Sequence, residues 1–562
     1  MTWMSHLDPS GWTVRGWDYA ASSPALNSVM RNETVTDKLW VKAREQPDDV
    51  AIWFDDGSAL TFGQAASEAL ALAASFQRMG LTKGDRVSAQ LPNWREFVIA
   101  NLACCALGLV FNPIIPIYRN AEVGFILSDA GSRALIIPEK YRDMDYLAMV
   151  SSLRDRLPRL EHVIVTRPQS ARADLTHAGN PHIYADLLQQ DGISVSRLPK
   201  IDLSSVKLLM YTSGTTGNPK GVLHSHHSLG RALDNILEFR KLGAGDVQFM
   251  ASPVTHITGY AAIEQPFMSE VKAAVMERWD RVKAVDFILR TQSTFGVGAT
   301  PFLHELVQEC SSRNVGLPSL RFFACGGAAV PPDLIRAANR VFDNCRCFRV
   351  YGSTEVPLVS QGLSDPSFEA LAAETDGRVY NYEVKMVNTE GKELPRGEEG
   401  EILVRGPAVM CGYTSESSTR DAFTQDGYFL TGDLGRVSQE GDVVVTGRKK
   451  DLIIRGGENI SAKEIEDVLH THPAIQEVAV VSMPHQRLGE TIAAYLRVKN
   501  PVESLTVADL RSFVHGAGLA RQKAPEYVEI IDDFPRTASG KVRKDVLRQF
   551  ARDRFMENSD ST

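Results

Sequence analysis

Several common signatures are missing from this sequence. No Cys-x-x-Cys occurs among its seven cysteines, and their number is odd. Neither a zinc site nor a disulfide framework is expected. Several cysteines sit in apolar runs such as Phe322-Phe-Ala-Cys325, which points to buried thiols in a reducing compartment. Excess positive charge is missing too. The 61 basic and 69 acidic residues leave a net charge of −8, which argues against a general nucleic-acid binder. The start, Met1-Thr-Trp-Met-Ser-His-Leu-Asp-Pro9, has no basic segment followed by an apolar run, so no signal peptide is expected. One long uncharged stretch, 97–118, could be mistaken for a membrane span. Gly108, Asn112, Pro113 and Pro116 interrupt it. A helix to about Gly108 and then a buried strand is the expectation, with no integral membrane segment. Together these absences point to a cytoplasmic protein without internal repeats or low-complexity tracts.

What is present is ordinary globular composition at unusual length. With 562 residues, 43% hydrophobic and 23% charged, the chain is too long for one core, and two or more domains are expected. From Ala51 onward strand-like and helix-like segments alternate. Asp85-Arg-Val-Ser-Ala-Gln-Leu91 and Ser132-Arg-Ala-Leu-Ile-Ile-Pro138 read as strands, and 63–79 as an amphipathic helix. The class is α/β with largely parallel sheet. Residues 377–447 change to short strands split by Gly and Pro turns, a small antiparallel or barrel-like part. Beyond Asp451 a small α+β tail follows. Its helix 462–470 is capped by Ser461, with Glu464 placed for a capping box. The charged link Gly447-Arg-Lys-Lys-Asp451 marks the boundary, giving domains 1–447 and 448–562.

The chain is organised around Tyr211-Thr-Ser-Gly-Thr-Thr-Gly-Asn-Pro-Lys-Gly-Val222. An apolar strand, Val206-Lys-Leu-Leu-Met-Tyr211, leads into it. Gly214, Gly217 and Gly221 allow positive φ and close approach of a ligand. Turned N–H groups and the hydroxyls of Thr212, Ser213, Thr215 and Thr216 suit phosphate oxygens, and Lys220 adds a positive charge. The spacing is not Gly-x-x-x-x-Gly-Lys-Ser/Thr.

This stretch resembles the phosphate loop of the AMP-forming adenylating superfamily, which includes acyl-CoA ligases, aryl-CoA ligases, peptide-synthetase adenylation domains and luciferases. Four further motifs follow in that family's order, so the resemblance covers nearly the whole chain. It implies a large N-terminal body and a small mobile C-terminal domain. Tyr351-Gly-Ser-Thr-Glu355 resembles the magnesium and adenine motif. There Glu355 and Thr215 would hold Mg²⁺, Thr354 would meet the phosphates, and Tyr351, Gly352 and Ser353 would border the nucleotide. A carboxylate beside phosphate is suitable chemistry for Mg²⁺. Gly326, Gly327 and Ala328 match the companion segment along adenine and the acyl group. Tyr428-Phe-Leu-Thr-Gly-Asp433 ends in an Asp after a tight turn, and a carboxylate can accept both protons of a ribose diol. Arg448 matches the second ribose contact and Lys450 the hinge. Gly456 and Gly457 match the loop that meets the incoming thiol. Lys541, in Pro535-Arg-Thr-Ala-Ser-Gly-Lys541, matches the adenylation lysine. His256 matches the histidine at the carboxylate pocket, in a positioning role.

By the same resemblance Ile257, Gly298, Val350, Gly352, Pro357 and Leu358 line the acyl pocket. All are uncharged, which implies an acid with an uncharged body, alicyclic, aromatic or medium-chain. The likeness is to bacterial ligases for alicyclic or medium-chain acids. One departure is Gly377-Arg-Val-Tyr-Asn-Tyr382, where the family often has Gly-Arg-Pro-x-Pro-Gly. The implied reaction joins a small carboxylic acid to CoA with ATP and Mg²⁺, and a homodimer is admitted. Few residues follow Lys541, which favours CoA over a fused carrier domain. Transfer to a carrier-protein thiol and an inactive acyl or nucleotide sensor stand as alternatives.

Overall fold

A computed structural model describes residues 5–15, 32–170, 181–212, 219–328, 330–499, 505–537 and 541–559. The chain divides into two compact units: 1–383 with 404–429, and 384–403 with 430–562. The expected boundary at 447/448 thus falls inside the second unit.

The first unit carries two large sheets. In one, the strands run in the order His182–Ile183, His162–Thr166, Ala134–Pro138, Arg86–Ala89, Val110–Pro113 and Val206–Thr212, all parallel. Lys220–Ser225 and Gly412–Tyr413 then extend it antiparallel. The other sheet runs Arg346–Val350, Phe322–Gly326, Phe295–Gly298, Val247–Met250, Lys272–Val275 and Val50–Phe54 in parallel, with Ala59–Thr61 antiparallel at its edge.

Between them lies a layer of helices, Phe62–Arg78, Arg95–Leu107 and Ile257–Met268, whose side chains pack with residues of both sheets. Arg95–Leu107 is apolar on every side, and all its residues from Phe97 on are buried, as a central helix requires. It stops at Gly108, which takes φ 68°, and the chain enters the buried strand Val110–Pro113. The uncharged stretch is therefore a core helix and strand, as expected. Among the described residues no helix is long and apolar enough to cross a membrane.

The second unit holds a four-stranded sheet, in the order Glu383–Val387, Gly400–Arg405, Phe429–Val437 and Val443–Arg448, and a five-stranded one. In the latter Gly489–Val498 is central, and it pairs antiparallel along its length with the edge strand Ile475–His485. The helix Ala462–Leu469 is capped by Ser461, whose hydroxyl accepts from the Glu464 amide. The capping box is not closed: the Glu464 carboxylate instead takes Lys523 at 2.6 and 2.7 Å. An ammonium outbids a backbone N–H for a carboxylate. All seven cysteines are buried and free.

Candidate active site

The expected phosphate loop is described only at its ends. Ser213, Gly214, Thr215, Thr216 and Gly217 lie outside the described residues. Thr212 closes the entering strand and Lys220 opens the returning one, and the two are register partners. Gly221 is required by packing. A Cβ there would meet Thr414 Cγ2 at 2.7 Å and Leu209 Cδ1 at 2.8 Å.

The 351–355 segment follows the strand Arg346–Val350 and is tied down at every residue but Gly352, which is squeezed. The Tyr351 amide donates to Ser360 Oγ at 3.0 Å. A Cβ on Gly352 would lie 2.4 Å from the Leu358 nitrogen. The Ser353 amide donates to the Val356 carbonyl at 3.1 Å. The Thr354 carbonyl accepts from His224 Nε2 at 2.7 Å, and His224 Nδ1 accepts from Ser228 Oγ at 3.1 Å. Those two bonds set one neutral tautomer. Burial lowers the His224 pKa to about 4, so the ring stays uncharged. Glu355 receives the Tyr413 hydroxyl on Oε1 at 3.1 Å, and its carbonyl accepts from the Met410 amide at 2.8 Å. The Tyr413 ring lies under the Lys220 ammonium, 5.3 Å from nitrogen to centroid. His224 and Tyr413 were not singled out in the sequence. His224 had a faint signal, as the first histidine of His224-Ser-His226-His227, near the end of the strand that Lys220 opens.

Gly326 ends the strand Phe322–Gly326 against the Val350 carbonyl, 2.6 Å from where a Cβ would stand. Gly327 takes φ 82° and Ala328 follows. His256 is the N-cap of the helix Ile257–Met268, its Nδ1 accepting from the Thr258 amide at 3.5 Å. Of the expected acyl-pocket residues, Val350 and Leu358 share one apolar cluster with Val297, whereas Ile257 packs in another. The departure at 377–382 keeps its turn by other means. Gly377 takes φ 90°, and Asn381 takes φ 56° with its amide on Asn235 Oδ1 at 3.0 Å. Tyr382 donates to the Pro357 carbonyl at 2.6 Å.

The second unit holds the remaining candidates. Asp433 does not cap a turn. It lies within the strand Phe429–Val437, opposite Arg448 on Val443–Arg448, and the two form an ion pair at 2.8 Å. Lys450 follows in a short 3₁₀ turn, its ammonium pKa lowered first by burial and then by Arg448. Its neighbours are anchored on different elements: Lys449 on Glu401 at 3.0 Å, and Asp451 on Arg548 of the C-terminal helix. Gly456 and Gly457, φ 61° and 89°, make the two-residue turn of a hairpin whose flanks Arg455 and Glu458 are paired. Positive φ at both central residues is what such a turn demands, so the turn alone accounts for both glycines. The Lys541 amide donates to Thr537 Oγ1 at 3.1 Å and its carbonyl accepts from the Thr537 amide at 2.7 Å. The intervening 538–540 lie outside the described residues.

Comparison with known proteins identifies the family. The profile of the AMP-binding enzyme family matches residues 39–414, and that of the AMP-binding enzyme C-terminal domain matches 464–541. The chain is 32% identical over 521 residues to the medium-chain fatty-acid–CoA ligase of Escherichia coli K12, covering 91% of this chain and 90% of that protein. It is 30% identical over 544 residues to 2,3-dihydroxybenzoate-AMP ligase of Bacillus subtilis, covering 95% and 96%. The solved structure of o-succinylbenzoate CoA synthetase from Bacillus subtilis, with its acyl-adenylate intermediate, superimposes with a TM-score of 0.77. It is 26% identical and covers 91% of this chain and 97% of that one.

Proposed function

Since the chain belongs to the AMP-binding enzyme family, we propose that it is an ATP-dependent carboxylic acid–CoA ligase. The observation that carries this reading is the pair of family matches, in order, along a chain whose relatives it covers almost end to end. In the first half-reaction an acid carboxylate oxygen attacks the α-phosphorus of ATP, and pyrophosphate leaves. In the second, the CoA sulfur attacks the acyl carbonyl of acyl-AMP, its proton is lost, and AMP leaves. AMP is a far better leaving group than oxide, which is the reason for activating the acid.

In this reading Thr212 and Lys220, with the loop between them, hold the phosphates. Tyr351, Gly352 and Ser353 border the nucleotide together with Gly326, Gly327 and Ala328. Thr354 contacts the phosphates and His256 orients the acid. Glu355 fits a hard cation: Tyr413 takes one oxygen, and an ionised carboxylate has about four acceptor sites. Bound there, Mg²⁺ would neutralise phosphate charge as it develops. Asp433 and Arg448 take the ribose. Lys541 stabilises the charge that builds between carboxylate and α-phosphate. The Gly456–Gly457 turn is assigned to the thiol, supported by the open space around Gly457, where a Cβ would meet nothing within 4 Å.

The joint is assigned to Lys450, between 1–447 and 448–562. Support comes from its neighbours, which are anchored on either side by separate ion pairs. The acid is assigned an uncharged body, supported by the apolar packing of Val350 and Leu358. A second reading, transfer of the acyl group to a carrier-protein thiol, is favoured by the likeness to an AMP ligase. An inactive sensor is disfavoured because Lys541 and Glu355 are both present.

The test is AMP release across a panel of acids, with and without CoA. CoA-dependent turnover on cyclohexanecarboxylate, benzoate-like or medium-chain acids is expected. Preference for acetate or succinate would overturn the substrate class. Acyl-AMP that accumulates without reacting with CoA would favour the carrier.

A further inference from the structure

Lys220 and Glu355 carry opposite charges in one corner of the first unit, yet among the described residues they form no ion pair within 4.0 Å. Tyr413 stands between them. Its position follows from sheet register: on the edge strand Gly412–Tyr413 it pairs with Val222, two residues along from Lys220. Alternate residues share a face, so Lys220 and Tyr413 are diagonal cross-strand neighbours. The ammonium settles over the ring face at 5.3 Å, where the aromatic quadrupole attracts it. The hydroxyl at the far end reaches Glu355 Oε1 at 3.1 Å.

We propose that Tyr413 is a positioning residue that keeps Lys220 and Glu355 apart, so that the cation remains available to phosphate and the carboxylate to a divalent cation. Without it the two groups would neutralise each other, and neither would serve a ligand. The phenol is suited to the task. Its O–H donates to the carboxylate while its ring face meets the ammonium. Tyr413 is only 7% exposed, which keeps the ring in one place.

The inference rests on the role assigned to Glu355 above, and the experiment separates the two. Calorimetry without acid substrate gives the Kd of Mg·ATP, and of ATP in EDTA, for wild type, Tyr413→Phe, Glu355→Gln and the double variant. Phe keeps the ring and the strand pairing, and melting temperature checks the fold. Tyr413→Phe should raise the Kd of Mg·ATP about tenfold, the scale of one hydrogen bond to a charged group, with little change in EDTA. Added to Glu355→Gln, it should cause no further loss, because the residue acts through that carboxylate. Tyr413→Leu, which removes the ring, should weaken ATP binding in EDTA as well, and Glu355→Gln should reverse that loss. An equal loss from Tyr413→Phe on both backgrounds would overturn the proposal. So would a loss in Glu355→Gln with none in Tyr413→Phe. If Glu355→Gln binds Mg·ATP as wild type does, the reading of Glu355 falls, and the role of Tyr413 falls with it.

Discussion

Two pairs of opposite charges in this chain are handled in opposite ways. In the first unit Lys220 and Glu355 are held apart by an aromatic ring and its hydroxyl. In the second, Asp433 and Arg448 meet directly at 2.8 Å across two strands. Burial explains the difference. Asp433 is 4% exposed, and a carboxylate so enclosed needs a countercharge. Glu355 is half-buried and is satisfied by a neutral donor. In the proposed reading the first corner accepts ions, whereas the second is an ion pair to which a ligand adds hydrogen bonds. An enclosed carboxylate with its own cation keeps a fixed position, which suits a neutral diol. A partly hydrated one keeps spare acceptor capacity, which suits a metal.

The largest effect should come from a cation outside both arrangements. Lys541→Ala should lower acyl-AMP formation about a thousandfold, the upper range for losing one transition-state contact. Turnover of supplied acyl-AMP with CoA should remain largely intact, and equal loss of both half-reactions would refute the role. Glu355→Gln should slow adenylation about a hundredfold and raise the Mg²⁺ concentration needed for half-maximal rate. An unchanged Mg²⁺ titration would count against it. Asp433→Ala should act mainly on binding, raising KM for ATP about tenfold. It takes one partner from Arg448, whose side chain is half-exposed at 49%, so the fold should survive. Near wild-type ATP kinetics would dismiss the ribose assignment. Lys450→Pro fixes φ and should slow thioester formation more than adenylation, by about tenfold, if the joint turns there. Rapid quench of each half-reaction gives the answer, and an unchanged thioester rate would move the joint elsewhere.

The smallest effect concerns pH. Free histidine titrates near 6.5, while burial lowers the His224 pKa to about 4. The folded chain binds this proton less readily than the unfolded one. The stability His224 contributes is therefore whole above about pH 6.5 and is lost as pH falls toward 4. His224→Gln should make the melting temperature fall less steeply over that window. His226, buried and shifted the same way, keeps part of the slope. An unchanged slope would mean that His224 is not held neutral.

Much of this was legible in advance where chemistry is local. Gly108 ends a helix through its own φ of 68°, and Ser461 caps one through its own hydroxyl. The strand Val206–Thr212 shows as an apolar run, interrupted only by Lys207, because it is buried along almost its whole length. Asp433 was expected to follow a tight turn, whereas it lies within a strand. Gly432, with φ 70°, sits before it and imitates a turn in sequence while the strand continues. The closed capping box at Glu464 also failed, since Lys523 is 59 residues away in sequence and prevails only once the tail is folded.

By itself the sequence determined the order of the nucleotide motifs, the α/β class and the glycines that turns or close contacts require. These depend on composition, on periodicity and on backbone sterics within a few residues. Only the tertiary structure decided which groups hold the motifs in place. His224 reaches Thr354 across 130 residues, and Tyr413 reaches Glu355 across 58. Such partners are chosen by strand register and by which loops two strand ends bring together. A hydrogen bond needs atoms within about 3 Å, a condition that no spacing along the chain expresses.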